Sequence, residues 1–283
     1  MQVFSLYCYP VKSLGGQSVQ ALIPEGRGFK DDRRWMFVDE SGRFISCRAV
    51  PGLLLFSAEV NGDELRFTRI ADGALLCAAA GARSPQSRPR RGPQKGNPKS
   101  IEVTVWDDTF MATLIDVPGL DQLTETLGIP GARLVYMGPE DVRPVDPRYA
   151  KAGEQVSFAD GYPYLITNTA SLDDLAQRLG EDSLDERRFR PNIVVSTDTP
   201  WAEDDWTALQ IGSHRFRLPK PCARCIMVTI QPETGEKDLR VLAELSRYRK
   251  VGNKVMFGMN GCWEGGEGNL RVGDDVATAS AVS

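Results

Sequence analysis

The chain has 283 residues, 41% hydrophobic and 25% charged, with a net charge of −4, a composition that suits one large or two ordinary folded domains. The negative balance argues against wholesale nucleic-acid binding, and no apolar run approaches the roughly 20 residues of a membrane span. The start, Met1-Gln2-Val3-Phe4-Ser5, lacks the charged and apolar regions of a signal peptide, so a cytoplasmic protein without membrane or nucleic-acid partners is expected.

The first 115 residues predict a β meander. Val3 to Val11 is a strand, and Arg34–Val38 and Arg43–Ser46 flank a turn at Asp39–Gly42. Leu53–Val60 and Glu64–Ile70 flank Asn61-Gly62, a strong hairpin signal. Ile101–Trp106 and Thr109–Ile115 flank Asp107-Asp108. Short strands with regular turns argue for a sheet or small barrel. Residues 81–100 break the pattern: Arg83, Arg88, Arg90, Arg91, Lys95 and Lys99 lie in a Pro-, Gly- and Ser-rich stretch without apolar periodicity, which reads as a basic, mobile loop able to dock an acidic partner.

Pro118–Gly128 has leucines at helical spacing and a closing glycine, and Pro139 to Gly153 is a loop. Beyond residue 130 strands and helices mix. Tyr164–Thr167 is a strand, and Ser171 caps a helix with Leu172, Leu175, Ala176 and Leu179 on one face. Asn192–Ser196, Leu209–Leu218 and Cys225–Ile230 are strands. Asp238 starts a helix with Leu239, Leu242 and Leu245 inward, and Val255–Trp263 and Leu270–Ala277 are the last strands. The expected fold is mainly β with some α (α+β), divided into units over 1–120 and 130–283.

Chemistry concentrates in few residues. The single histidine, His214, excludes zinc sites built on two histidines. Its alternating surroundings, Gly212 to Arg217, predict an exposed strand face. Six cysteines, expected to be reduced, include one close pair, Cys222-Ala223-Arg224-Cys225. A thioredoxin-like dithiol needs a helix after the first cysteine, whereas Ile226–Ile230 favours a strand. A buried apolar pair and half of a metal site both remain open for these thiols. Three segments offer cations or amides at strand edges: Tyr9–Gly16, Asp31–Trp35 and Phe189–Val195.

Taken together, Tyr9-Pro10-Val11-Lys12-Ser13, Asp32-Arg33-Arg34-Trp35, Phe189-Arg190-Pro191-Asn192-Ile193-Val194, Glu203-Asp204-Asp205-Trp206, Cys222-Ala223-Arg224-Cys225 and Phe257-Gly258 resemble, in order and over essentially the whole chain, MOSC-domain proteins of the amidoxime-reducing type. The resemblance implies an N-terminal β-barrel domain followed by a MOSC β-barrel domain with peripheral helices. It also implies a molybdenum cofactor with Cys225 as the metal thiolate. It places Lys12 and Ser13 at the phosphate end, and Arg33, Arg190, Asn192, Ala223 and Arg224 against the rest of the cofactor. Two departures mark this chain. Gly161 and Tyr162 stand where small hydroxyl residues occur in eukaryotic members, so contacts there fall to the backbone. Asn260 replaces an aromatic at the substrate side.

The implied activity is reduction of N-hydroxylated compounds (hydroxylamines, amidoximes, N-hydroxylated bases). Electrons are expected from a separate ferredoxin-like protein, because the chain lacks the C-x₄-C-x₂-C spacing of an iron–sulfur cluster of its own. The alternative is a module that carries the cofactor or a sulfur atom without turnover. A dithiol or structural-metal protein is the third reading, and no Schiff-base lysine motif supports pyridoxal phosphate.

Overall fold

A computed structural model of the chain describes residues 1–80 and 99–280. Strands dominate and three α-helices accompany them, Leu120–Thr126, Thr169–Leu179 and Arg240–Tyr248, which is the expected α+β class. Most of the expected basic loop lies outside the described residues, and its last residue, Ser100, opens a strand.

The largest sheet has nine strands. Its order is Gln17–Val19, Gln2–Cys8, Ile193–Ser196, Tyr164–Asn168, Lys254–Gly265, His214–Arg224, Trp206–Ile211 and Val276–Ser280, with Lys250–Val251 attached to Lys254–Gly265. The first strand of the chain therefore pairs on one side with Gln17–Val19 and on the other with residues near 195; Gln2 faces Ser196 and Leu6 faces Ile193. Tyr164–Asn168 and Ile193–Ser196 run parallel, and the helix Thr169–Leu179 crosses between them. Two smaller sheets come from the first half: Phe56–Asn61, Glu64–Arg69 and Leu75–Ala80; and Ser100–Val105, Asp108–Ile115, Arg133–Tyr136 and Trp35–Val38.

The structure corrects several expectations. His214 is 3% exposed. The alternation runs in the opposite phase to the expected one: His214 points with Phe216 and Leu218 into the barrel, while Arg215 and Arg217 point outward. Leu209–Leu218 is not one strand but a hairpin that turns at Gly212-Ser213. Ile226–Thr229 forms a single 3-10 turn despite its β-branched residues, because Met227, Val228 and Thr229 are buried by tertiary packing there. Arg43–Ser46 makes only isolated bridges. Asn168, rather than Ser171, caps the helix Thr169–Leu179: its side chain accepts the Ser171 amide, and Gly180 closes the helix in a left-handed conformation. The helix Arg240–Tyr248 buries Val241 and Leu245, while Leu239 is exposed. No helix among the described residues is long and apolar enough to cross a membrane.

Two irregularities in the long antiparallel pair His214–Arg224/Lys254–Gly265 shape the site. Register shifts between Arg217 and Lys220 and between Pro221 and Ala223. At the second, the extra residue lies on the Met256–Met259 side, where Gly258 takes φ +72° with a Cβ position 2.7 Å from the Ile166 carbonyl. Only glycine fits there, and the bulge re-aims the strand end that carries the cysteines.

A buried carboxylate supports the parallel pair from behind. Glu203 is fully buried and accepts hydrogen bonds from Asn168 Nδ2 and from the Ser171 hydroxyl at 2.8 Å, while its other oxygen has no partner. Burial pushes its pKa up to about 7. The folded chain therefore keeps a proton that the unfolded chain releases near 4.5. The contribution is fully present below that pH and is lost as pH rises toward 7. Glu203→Gln is expected to remove this slope, with the variant gaining on the wild type by on the order of 3 kcal/mol between pH 4.5 and 8; urea unfolding of both proteins across that range measures it.

Candidate functional site

A cleft of about 190 Å³ opens between the large sheet and the tip of the hairpin Ser100–Val105/Asp108–Ile115, and it gathers every residue that the resemblance assigns to the cofactor. One side consists of Lys12, Phe44, Arg48, Trp106 and Asp160. The other consists of Arg33, Phe189, Arg190, Asn192, Asn260 and the run Cys222–Cys225. Gly161 and Tyr162 connect the two. Arg34, beside Arg33 in sequence, does not join them; it turns away and donates to the Met137 carbonyl at 2.7 and 3.1 Å.

The cysteine pair sits in extended backbone. The strand His214–Arg224 runs through Cys222, and Cys225 follows with φ −120° and ψ −172°. Three extended residues separate the two Cα atoms by about 10 Å, beyond the ~7 Å limit of a disulfide. Alternation also places Cys222 and Arg224 on one face, and Arg224 Nη1 donates to Cys222 Sγ at 3.1 Å. Arg224 Nη2 donates to the Phe189 carbonyl at 2.7 Å. The fixed charge expected between the thiols therefore serves Cys222. Cys225 lies on the other face, half-buried, against the core cluster that contains Met227 and Cys47. Among the described residues no group of three His, Cys, Asp or Glu side chains surrounds a metal-sized space, so a structural zinc finds too few ligands here.

The cations are organised by an aromatic ring and a buried acid. The Tyr9 ring carries the Arg33 guanidinium at 4.2 Å and the Arg190 guanidinium at 4.4 Å. Asp32, fully buried, accepts from Arg33 Nη1 at 2.6 Å and from the Tyr9 amide at 2.8 Å. Burial works against the Arg33 charge, but Asp32 outweighs it and raises the Arg33 pKa. Asn192 Oδ1 accepts from Arg33 at 3.0 Å and from the Leu165 amide at 3.2 Å. Arg190 Nη1 donates to the Leu14 carbonyl at 2.7 Å. Burial lowers the Arg190 pKa.

Across the cleft, Lys12 Nζ donates to Asp160 Oδ1 at 2.5 Å. Burial lowers the Lys12 pKa, partly restored by Asp160. Asp160 is itself exposed, and Lys12, the Trp106 N–H and Arg48 together hold its carboxyl well below the usual range. Arg143, 2% exposed, fixes the segment behind Asp160 by donating to the Ser157 carbonyl at 2.9 Å, to the Ala159 carbonyl and to the Asp160 carbonyl at 3.0 Å. The site is thus not the purely cationic set the sequence predicts, since Asp32 and Asp160 are built into it. Sequence reasoning also missed Phe44, Cys47, Arg48, Trp106 and Arg143, which sit in stretches without any motif.

Backbone strain marks the same place. Six non-glycine residues among those described have positive φ, and four of them line the cleft: Ser13 (73°), Arg33 (50°), Trp106 (55°) and Arg190 (55°). Each costs on the order of 1–3 kcal/mol and persists only where surrounding contacts over-determine it.

This donor set fits a metal–pterin phosphate. It combines a soft sulfur at Cys225 with five cations, Lys12, Arg33, Arg48, Arg190 and Arg224. It also offers two buried polar atoms with no partner, Tyr162 Oη and Arg224 Nε, both on cleft-lining residues. The position of a Cβ at Gly161 is open space, which leaves the backbone there accessible. Asn260 spends its amide group on the Lys220 and Pro221 carbonyls at 3.4 and 3.2 Å, so it braces the strand end rather than filling the volume of an aromatic ring.

The chain matches the MOSC N-terminal beta barrel domain over residues 1–114 and the MOSC domain over residues 153–277. It is 30% identical to mitochondrial amidoxime-reducing component 1 of Mus musculus over 97% of this chain and 81% of that protein. The Homo sapiens protein of the same name gives 30% over 97% and 82%. A molybdenum cofactor sulfurase of Drosophila mojavensis is 28% identical over 91% of this chain and 31% of that protein.

Tyr9 is held in place from one more direction. A Cβ on Gly16 lies 2.1 Å from the ring's Cε1. Gly16→Ala is therefore expected to push Tyr9 away from Arg33 and Arg190 and to cost about 1–3 kcal/mol, read as a lower urea midpoint at unchanged m-value.

Proposed function

Because the chain belongs to the MOSC-domain family, with the N-terminal beta barrel domain and the MOSC domain both matched, we propose that it is a molybdenum-cofactor oxidoreductase that reduces N-hydroxylated compounds with electrons from a separate protein. The observation that carries this reading is the half-buried thiol of Cys225 at the edge of a cleft walled by Lys12, Arg33, Arg190 and Arg224.

When bound, the cofactor supplies the two-electron chemistry by which an N–O bond is cleaved. The chain supplies the rest. Cys225 gives the thiolate ligand, and its place at the start of a buried 3-10 turn fixes its direction. Lys12 and Ser13 face the phosphate end, where Ser13's positive φ turns the backbone into the cleft. Arg33 and Arg190, locked on Tyr9, provide charge that cannot swing away, and Asn192 keeps Arg33 in register. Preorganised cations of this kind need no rearrangement when charge develops. Asp160, held ionised by Lys12, accepts hydrogen bonds from a substrate N–H and is too weak a base to take up its proton. Cys222, capped by Arg224, stays out of the ligand role.

A second reading, a module that holds or passes the cofactor without turnover, is favoured by the likeness to the sulfurase. Activity with a chemically reduced mediator separates the two. Cys225→Ser is expected to lose molybdenum and to lower N-hydroxy reduction at least 100-fold, whereas Cys222→Ser keeps the metal and most of the rate. Metal analysis and amidoxime turnover on protein made in a cofactor-competent host check both; molybdenum retained with full activity in Cys225→Ser sinks the assignment.

A further inference from the structure

The strand Gln2–Cys8 contains a bulge. Val3 faces Val195 and Ser5 faces Val194, so Phe4 is the extra residue. The bulge keeps Val3 and Leu6 both buried and turns Phe4 outward, where it is 56% exposed. A lone exposed hydrophobe needs no explanation, but Phe4 is not alone. Together with Met1, Leu172, Leu184 and Ala202 it lines a groove of about 800 Å³. The bulged strand, the start of the helix Thr169–Leu179, the segment Ser183–Glu186 and the strand end Ser196–Thr199 all contribute to the groove. It shares no lining residue with the cleft that holds Cys225. Its volume falls within the roughly 300–1,000 Å³ of small-molecule sites.

The charge of this groove is one-sided. Asp173, Glu186 and Asp198 line it, and no Lys, Arg or His side chain does; the Met1 amino group is the one positive charge that its lining residues bring. None of the three carboxylates has an ion-pair partner among the described residues. Glu186 accepts from the Ser5 hydroxyl at 2.5 Å and from the Tyr7 hydroxyl at 2.7 Å, both through Oε1. Those bonds fix the carboxylate and leave Oε2 open. A helix N-terminus favours anions in general, but here Asn168 already takes the Ser171 amide, and the three carboxylates outweigh what remains.

Apolar surface beside unpaired carboxylates selects one chemistry. An anion is repelled, a neutral ligand leaves the carboxylates unanswered, and a bare metal ion leaves the apolar surface uncovered. We propose that the groove is a second ligand site for an organic cation with an apolar body, a protonated amine or amidine whose body lies on Phe4 and Leu184 and whose charge meets Asp173, Glu186 and Asp198. Reductive cleavage of an N–O bond turns neutral hydroxylamines and amidoximes into such cations. The site therefore takes product and refuses substrate; this link rests on the reading of the cleft as an N-hydroxy reductase site, whereas the groove's preference for cations does not.

The test is calorimetric binding of benzamidine and benzamide to the full chain at pH 7 and low salt. The two probes share a ring and a shape and differ by one charge. Wild type, Phe4→Ser and the double variant Asp173→Asn/Asp198→Asn are compared. Benzamidine is expected to bind the wild type with a Kd of about 1 mM or tighter, and benzamide about ten-fold more weakly or worse. Each variant is expected to lose about five-fold or more in benzamidine affinity, with a thermal midpoint within about 2 °C of wild type. Benzamide binding as tightly as benzamidine, benzamidine affinity unchanged in either variant, or no saturable binding below about 10 mM overturns the proposal. Amidoxime turnover by the wild type with reduced viologen is measured separately. Its absence sinks the functional reading and the product link, and benzamidine binding still decides the site.

Discussion

One buried carboxylate ties together segments that lie far apart in the chain. Asp32 is fully excluded from solvent, yet it carries the charge that keeps Arg33 in place and receives the backbone amide of Tyr9. Through Arg33 it reaches Asn192 and the Arg190 carbonyl, about 160 residues downstream. Breaking a buried pair by removing one partner costs about 3–5 kcal/mol, because the other charge is stranded. Here the loss would also free the Tyr9 ring and with it the second guanidinium, so stability and site geometry depend on the same few bonds.

The fold class was legible because apolar alternation and turn residues report local geometry directly. Asn61-Gly62 and the leucines of the helix Leu120–Thr126 fall where the pattern puts them. What the pattern does not carry is partnership across distance. Nothing in Gln2–Cys8 announces that it pairs with Ile193–Ser196, and the β-branched run after Cys225 favours a strand until packing bends it into a 3-10 turn. His214 shows a subtler limit, since the alternation was visible but its phase was not.

The site divides the same way. Residues in motifs, such as Lys12, Arg33, Arg190 and Cys225, converge on the cleft. Arg143 was invisible because its role is to satisfy backbone carbonyls of a loop that has no period of its own. Trp106 was hidden for the opposite reason: an aromatic residue reads as strand, and only its positive φ reveals a turn. The acids Asp32 and Asp160 stood in plain sight, but whether a carboxylate faces solvent or a lysine is a tertiary fact.

The pairing of Gln2 with Ser196 and the spread of cleft residues from Lys12 to Asn260 have a consequence for how the protein is made. At about 5–20 residues per second, the first strand waits roughly 10–40 s on the ribosome before its second partner, Ile193–Ser196, is synthesised. The central sheet cannot close from the N-terminal end, and the cleft has no complete wall until Asn260 has emerged. Any cofactor it takes up must therefore arrive after Asn260 has been made, at a protein that has already folded or is completing its fold around the incoming group.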